Sequence, residues 1–211
     1  MQDYYAERAP EYDRVYAKPE RQHDLRAIER WLPPRFEGRR VLELACGTGW
    51  WTRFIAPVAA HVVAVDAAPE TLAIARRRLE GLRVELRVGD AYAPPRSEPP
   101  FDAAFAGFWL SHVPRARVDA FLAALHAVLR PRATVVFLDN LWVEGSSTPI
   151  AERDPAGDTW QMRRLDDGST HRVLKNFPGE DELRDRVARV AAHVGYRTWR
   201  HYWALEYTLA A

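Results

Sequence analysis

Val41-Leu-Glu-Leu-Ala-Cys-Gly-Thr-Gly-Trp50 sets an apolar run interrupted by one acid against a glycine loop. Apolar residues bounded by small, loop-forming ones read as a buried strand that ends in a tight turn. Trp50 to Ala59 then reads as a helix, so Glu43 to Gly49 falls where a strand hands over to its crossover helix. In an open parallel sheet, ligands sit beyond the carboxyl ends of the strands at such a handover. A dinucleotide fingerprint would need a third glycine at position 52, which is threonine, and Trp50-Trp51 fill the gap. A phosphate loop would need Gly-Lys-Ser/Thr, which is also missing. The loop therefore suits a ligand that comes close to the backbone without a pyrophosphate.

Outward from this stretch, strand-like and helical runs alternate. Val62–Val65, Val84–Val88, Ala103–Phe105 and Val135–Leu138 read as strands. Glu70–Leu79 and Arg115–Leu129 read as helices, the second with Val118, Phe121, Leu122, Leu125, Val128 and Leu129 on one stripe. This alternation predicts a parallel sheet with crossover helices. Before it, Leu25, Ile28, Trp31 and Leu32 mark an amphipathic helix over Glu20–Leu32, closed by Pro33-Pro34. Tyr4, Tyr5, Tyr12 and Tyr16 precede that helix in a polar segment broken by Pro10, which reads as an arm laid over something else. After Asp139 the pattern changes to loops. Thr159–Leu165 and Thr170–Phe177, around Asp166-Asp-Gly-Ser169, read as a β-hairpin in a substrate-side insertion. Leu183, Val187, Val190 and Val194 predict a last helix ended at Gly195, and the alternation from Trp199 to Leu209 predicts an antiparallel strand at the sheet edge.

The 211 residues fit one domain, and 30 basic against 29 acidic side chains leave no global field to recruit nucleic acid or an anionic membrane. A single cysteine, Cys46, excludes an internal disulfide framework or a multi-cysteine metal site and fits a reducing compartment. No run approaches the ~18 apolar residues of a membrane span. The expectation is a cytoplasmic protein with a small-molecule partner, no metal, and a monomeric or homodimeric state.

Two further acids stand at strand ends. Asp66 follows the second strand, where a ribose can be gripped. Pro69 at the first helical position assigns the cap to Ala68, which leaves the Asp66 carboxylate for ligand hydroxyls. Asp90-Ala91-Tyr92 follows the third strand, where a carboxylate can accept the exocyclic amine of adenine or serve as an ordinary turn aspartate.

Glu43-Leu-Ala-Cys-Gly-Thr-Gly49, Asp66, Gly89-Asp-Ala91, Phe101-Asp102 and Leu129-Arg-Pro131, in this order, resemble the class I S-adenosylmethionine-dependent methyltransferases over roughly residues 41–140. The polar segment with Tyr4, Tyr5 and Tyr12 also looks like the arm of small-molecule members. The resemblance implies an α/β, Rossmann-like sandwich: a seven-stranded, mostly parallel sheet with an antiparallel last strand, an N-terminal helical arm over 1–34, a core over 41–140 and a hairpin insertion over 141–179. It implies S-adenosylmethionine as cofactor, with S-adenosylhomocysteine as product. Glu43, Ala45, Gly47, Gly49 and Trp50 would approach its methionine part, Asp66 and Ala67 the ribose, and Asp90, Ala91 and Tyr92 the adenine, with Tyr5, Tyr12 and Phe108 closing the site. Pro131-Arg132 departs from the family's frequent Pro-Gly, which concerns a turn.

A sulfonium methyl is already activated, so positioning outweighs base catalysis in the expected mechanism. His112, beyond the fourth strand, is the candidate base, or else a histidine at the start of a helix. Tyr4, Trp109, Asp139, Asn140, Arg163 and Lys175 are the candidate acceptor-binding residues, and the basic side chains of the hairpin suggest an acidic or polar acceptor. Each also has a plain structural reading as a packing, turn or solvated residue. Arg76-Arg-Arg78 reads as a solvated partner of a helix dipole. Other uses of the same cofactor, by cyclisation or aminocarboxypropyl transfer, and a non-catalytic binding module are the competing readings.

Overall fold

The computed structural model describes residues 9–211, so Tyr4 and Tyr5 lie outside the described residues. The main sheet is ordered β3-β2-β1-β4-β5-β10-β9, built from β1 (Arg40–Leu44), β2 (His61–Asp66), β3 (Val84–Val88), β4 (Phe101–Gly107), β5 (Leu129–Asn140), β9 (Ala191–Thr198) and β10 (Tyr202–Leu209). All neighbouring pairs from β3 to β5 are parallel, whereas β10 runs antiparallel to both β5 and β9. The strand order reverses between β1 and β4, and the crevice at such a reversal is where this class of sheet binds ligands.

The period-two alternation of the strands sorts side chains into two cores. Leu42 and Leu44 of β1, with Val135 and Phe137 of β5, pack against Phe121 and Leu125 of α4 (Val118–His126) and Leu183 of α5 (Glu180–Val187). On the other face, Val41, Val62 and Val136 meet Leu25 and Ile28 of α1 (Gln22–Trp31), Ile55 of α2 (Thr52–Ile55) and Leu72 of α3 (Pro69–Arg78). Helices thus cover both faces of the sheet. A second, three-stranded antiparallel sheet, β6 (Glu152–Arg153), β7 (Thr159–Arg164) and β8 (Thr170–Leu174), forms the insertion over the C-terminal edge of the main sheet.

Two sequence expectations are corrected here. The last helix ends at Val187 and β9 begins at Ala191, so Val190 lies in the turn and Val194 in a strand. Val187, Val190 and Val194 satisfy a helical spacing, but the segment gains a full ladder by pairing with β10, in which Gly195 lies opposite Glu206. The chain's final strand is consequently internal rather than at the edge, which explains the burial of Trp203 and Tyr207. Arg132 has φ 62°, the left-handed region that glycine occupies without a Cβ penalty, so the departure from Pro-Gly is carried as local backbone strain.

Candidate active site

Two cavities open beyond the carboxyl ends of the strands. The first, about 290 Å³, runs from the β1 loop at Ala45 and Gly47, past Asp66 at the end of β2, to Asp90, Ala91 and Tyr92 at the end of β3. Ala67, Phe108, Trp109 and His112 complete its wall. The turn that opens it is built from left-handed residues, with Ala45 at φ 54° and Gly47 at φ 55°. Only small side chains leave room there for a ligand to meet backbone, and non-glycine strain of this kind concentrates at functional sites. A Cβ on Gly47 would lie 3.6 Å from the Tyr12 ring, so the arm rests on the loop itself.

Asp66 is not free as the sequence suggested. Its Oδ2 accepts from Gly47 N at 2.8 Å, and its Oδ1 accepts from Ala68 N at 2.9 Å and the Thr71 hydroxyl at 3.1 Å. The helix does begin at Pro69 after Ala68, but the carboxylate stitches that helix start to the glycine loop while lining the cavity. Burial raises its pKa and these hydrogen bonds lower it. Asp90 is exposed and closes its own turn through Tyr92 N at 2.9 Å, with Oδ1 as acceptor.

Three other residues assigned to the cofactor stand elsewhere. Glu43 is 2% exposed and sits behind the loop, outside the cavity wall. Burial pushes its carboxyl up to about 8, the Thr52 hydroxyl lowers it and the charge of Asp66 adds to the rise. Gly49 faces α3, where a Cβ would meet Leu79 Cδ1 at 3.0 Å and Ala75 Cβ at 3.2 Å, so this glycine serves helix packing. Trp50 stacks on the buried Tyr16 with ring centroids 4.1 Å apart and carries Arg53 on its ring at 3.8 Å. It braces the arm instead of lining the cavity.

The second cavity, about 310 Å³, lies between the arm, α1 and the small sheet. Asn140, Arg163 and Lys175 line it as expected, whereas Trp109 lines the first cavity and Asp139 lines neither. Asp139 is fully buried and accepts from Lys175 Nζ at 2.8 Å, from Ser111 N at 3.0 Å and from Asn140 N at 2.8 Å. Lys175 also donates to the Ser111 hydroxyl at 2.6 Å. Burial lowers the Lys175 pKa to about 8, against the opposing charge of Asp139. Lys18 and Arg21 reach this cavity from before and within the first turns leading to α1, and sequence periodicity gave no reason to single them out. Arg117, over the Tyr92 ring at 3.7 Å, is the corresponding omission in the first cavity.

Tyr12, Phe108 and His112 line both cavities. Phe108, at φ 59°, turns the chain out of β4 and packs between Tyr16 and Tyr202, with centroids at 5.8 and 5.7 Å. His112 is 4% exposed, and its Nδ1 lies 2.6 Å from the carbonyl oxygen of Leu174. A carbonyl only accepts, so Nδ1 carries the proton and the lone pair of the neutral ring is assigned to Nε2.

The methyltransferase domain family matches residues 41–132. A ubiquinone biosynthesis O-methyltransferase of Cereibacter sphaeroides is 32% identical over 190 residues, covering 89% of this chain and 68% of that protein. A demethylmenaquinone methyltransferase of Thermus thermophilus is 36% identical over 141 residues, covering 64% and 63%. Among solved structures, the DhpI–SAH complex superimposes with a TM-score of 0.81 at 29% identity, covering 99% of this chain and 95% of that one. The DhpI–SAM–HEP complex gives 0.76 at 32% identity, covering 97% and 94%. The chain belongs to the S-adenosylmethionine-dependent methyltransferases. It spans 40% and 41% of the length of the ubiquinone and menaquinone pathway relatives from Methylocella silvestris and Clavibacter sepedonicus.

The first cavity fits the cofactor. Its glycine turn admits a ligand to backbone, acids mark the ends of β2 and β3, and the Trp109 Nε1 in its wall has no hydrogen-bond partner among the described residues. Among the described residues no group of three or more His, Cys, Asp and Glu could hold a metal, and no helix is long and apolar enough to cross a membrane.

Proposed function

We propose that the chain transfers a methyl group from S-adenosylmethionine to an oxygen or nitrogen of a small molecule held in the second cavity. The shared wall of Tyr12, Phe108 and His112 is the observation that carries this reading. When bound, the cofactor supplies a methyl group already activated by its sulfonium. The residues of the chain then have to hold the acceptor in line and exclude water, which can lower the barrier by about 7–11 kcal/mol through proximity alone. Ala45, Gly47, Asp66, Ala67, Asp90, Ala91 and Tyr92 hold the cofactor, and Asn140, Arg163 and Lys175 the acceptor. The O-methyltransferase relatives favour oxygen as the nucleophile. His112 stands between the two cavities and is the candidate base for the acceptor's proton. One domain, with residues 9–34 and 141–179 laid over a core of 41–140, does this in the cytoplasm as a monomer or homodimer, without nucleic acid or membrane. The buried, unpaired Cys46 is consistent with that compartment.

Mass spectrometry of the cofactor product after incubation with pools of small hydroxy and amino compounds tests the reading. S-adenosylhomocysteine together with an acceptor heavier by one methyl group is the expected result, and methylthioadenosine instead would replace it with another use of the cofactor. As a base, His112 predicts that His112→Ala loses about 10²–10⁴-fold in kcat with cofactor affinity unchanged, and that a limb near pH 6–7 in the rate profile vanishes. A mutant as active as the wild type would leave orientation as the whole catalytic account.

A further inference from the structure

Lys18, Arg21, Arg163 and Lys175 are four of the six cations that line the second cavity, with Arg14 and Arg164, and the first three have no carboxylate partner among the described residues. Lys18 donates to Ser146 O at 2.7 Å. Arg21, only 6% exposed, donates to Asn140 Oδ1 at 2.9 Å, to the Ser146 hydroxyl at 3.1 Å and to Ser146 O at 3.2 Å. Arg163 donates from Nε and Nη2 to Gln161 Oε1, at 3.2 and 2.8 Å. All these acceptors are neutral, and a guanidinium has five N–H groups in all, so both arginines keep donors to offer. The fourth cation, Lys175, shares Asp139 and Ser111 and has a third ammonium proton left.

The four also feel one another. Burial lowers the Lys18 pKa most, then Arg21, and Arg163 lowers it further against the opposing charge of Glu20. Lys175, apart from its burial and its bond to Asp139, is likewise depressed by Arg163 and Arg21. Like charges gathered in a partly buried pocket raise its positive potential and cost stability until a counter-charge arrives. Glu11, the acid in the cavity wall, is already occupied by Arg14 at 3.5 Å and by Asp166 N at 3.0 Å.

We infer that the second cavity is an oxyanion site, in which Lys18, Arg21 and Arg163 bind a negatively charged phosphate-like or carboxylate group of the acceptor and Lys175 extends the cradle towards His112. This rests on the reading of the cavity as the acceptor chamber and specifies its substrate class. A neutral quinol or phenol would leave the cations unmatched. Charge-assisted hydrogen bonds to an oxyanion match them, and the forked guanidiniums suit its paired oxygens.

The test titrates inorganic phosphate, and separately acetate, into the protein saturated with S-adenosylhomocysteine, at ionic strength held constant with chloride. Binding of either anion is expected, and the one that binds more tightly assigns a tetrahedral or a planar group. Arg163→Gln and Lys18→Gln should each weaken that binding at least about tenfold, since each removes a hydrogen bond to a charged group. Arg172→Gln, on the outer face of the small sheet where Arg172 pairs with Glu152, should not. In the absence of anion, Arg163→Gln should melt no lower than the wild type, because it relieves repulsion and breaks only a contact to Gln161. Anion binding that is equal in the wild type and both cavity variants, or lost equally in Arg172→Gln, overturns the site. Failure to bind S-adenosylhomocysteine would instead sink the methyltransferase reading, so the two failures are separable.

Discussion

Glu43 shows how a residue assigned to a ligand can be set by its burial instead. Its carboxyl titrates near 8 in the folded chain and near 4.5 without its surroundings. Between these values the folded state binds the extra proton, so stability falls as pH rises from about 4.5 to about 8. The contribution is complete below 4.5 and lost by the upper end of the window. Glu43→Gln cannot titrate, so without cofactor its melting temperature should exceed that of the wild type at pH 8–9 and approach it near pH 5. A gap that does not change with pH would assign the carboxyl another environment. Burial raises the pKa of Asp66 as well, but unlike Glu43 it has three donors holding its oxygens. Asp66→Ala should therefore weaken S-adenosylhomocysteine binding and also lower stability by roughly 1–3 kcal/mol, through the orphaned Gly47 and Ala68 N–H groups. Calorimetric titration and chemical denaturation measure the two effects separately. Loss of affinity alone would return Asp66 to a pure ligand role.

At the scale of elements, the arm is fastened from a helix that sequence reading left in solvent. Arg78, in the last turn of α3, donates to Asp13 of the arm, to Thr48 O at 2.7 Å and to the Thr48 hydroxyl at 2.8 Å, and that hydroxyl donates to Asp13 at 2.6 Å. This clasp sets Tyr12 over Gly47 and Tyr16 between Trp50 and Phe108. Arg78→Ala should loosen the arm while leaving the core intact. Hydrogen exchange over residues 9–17 should rise and the KM for S-adenosylmethionine increase severalfold, while Arg77→Ala, without such contacts among the described residues, changes neither. Equal exchange in the Arg78 variant would mean that aromatic packing alone holds the arm. The triple arginine was legible as a helix end because basic side chains suit that dipole. Its clasp was not, since pairing across 65 residues leaves no local pattern. The amphipathic stripes of α1 and α4 were legible because burial writes a period into the sequence, whereas β9 was hidden by a valine spacing that fits two periods.

For the whole molecule, the strand order and the cofactor loop were readable because left-handed turns and strand-end acids are demanded locally, at fixed spacing. The second cavity was not, because it forms only where the small sheet meets the main one. Its central fastening is the buried pair of Lys175 on the small-sheet side and Asp139 at the end of β5, supported by Asn176, whose amide donates to Asp158 at 2.8 Å and whose backbone N donates to Ser111 O at 2.7 Å. Removing one partner of such a pair leaves an uncompensated buried charge, at a cost of about 3–5 kcal/mol, whereas removing both can be nearly neutral. Lys175→Met and Asp139→Asn should each destabilise the fold strongly, and the double variant should recover much of the loss. Denaturant titrations of the four proteins give the coupling directly. In Lys175→Met, exchange should rise first in β7 and β8, because the small sheet loses its tie to β5 while the seven-stranded ladder remains paired. Additive losses with unchanged exchange in the hairpin would show that Asn176 and the surrounding backbone bonds hold the two sheets together without the ion pair.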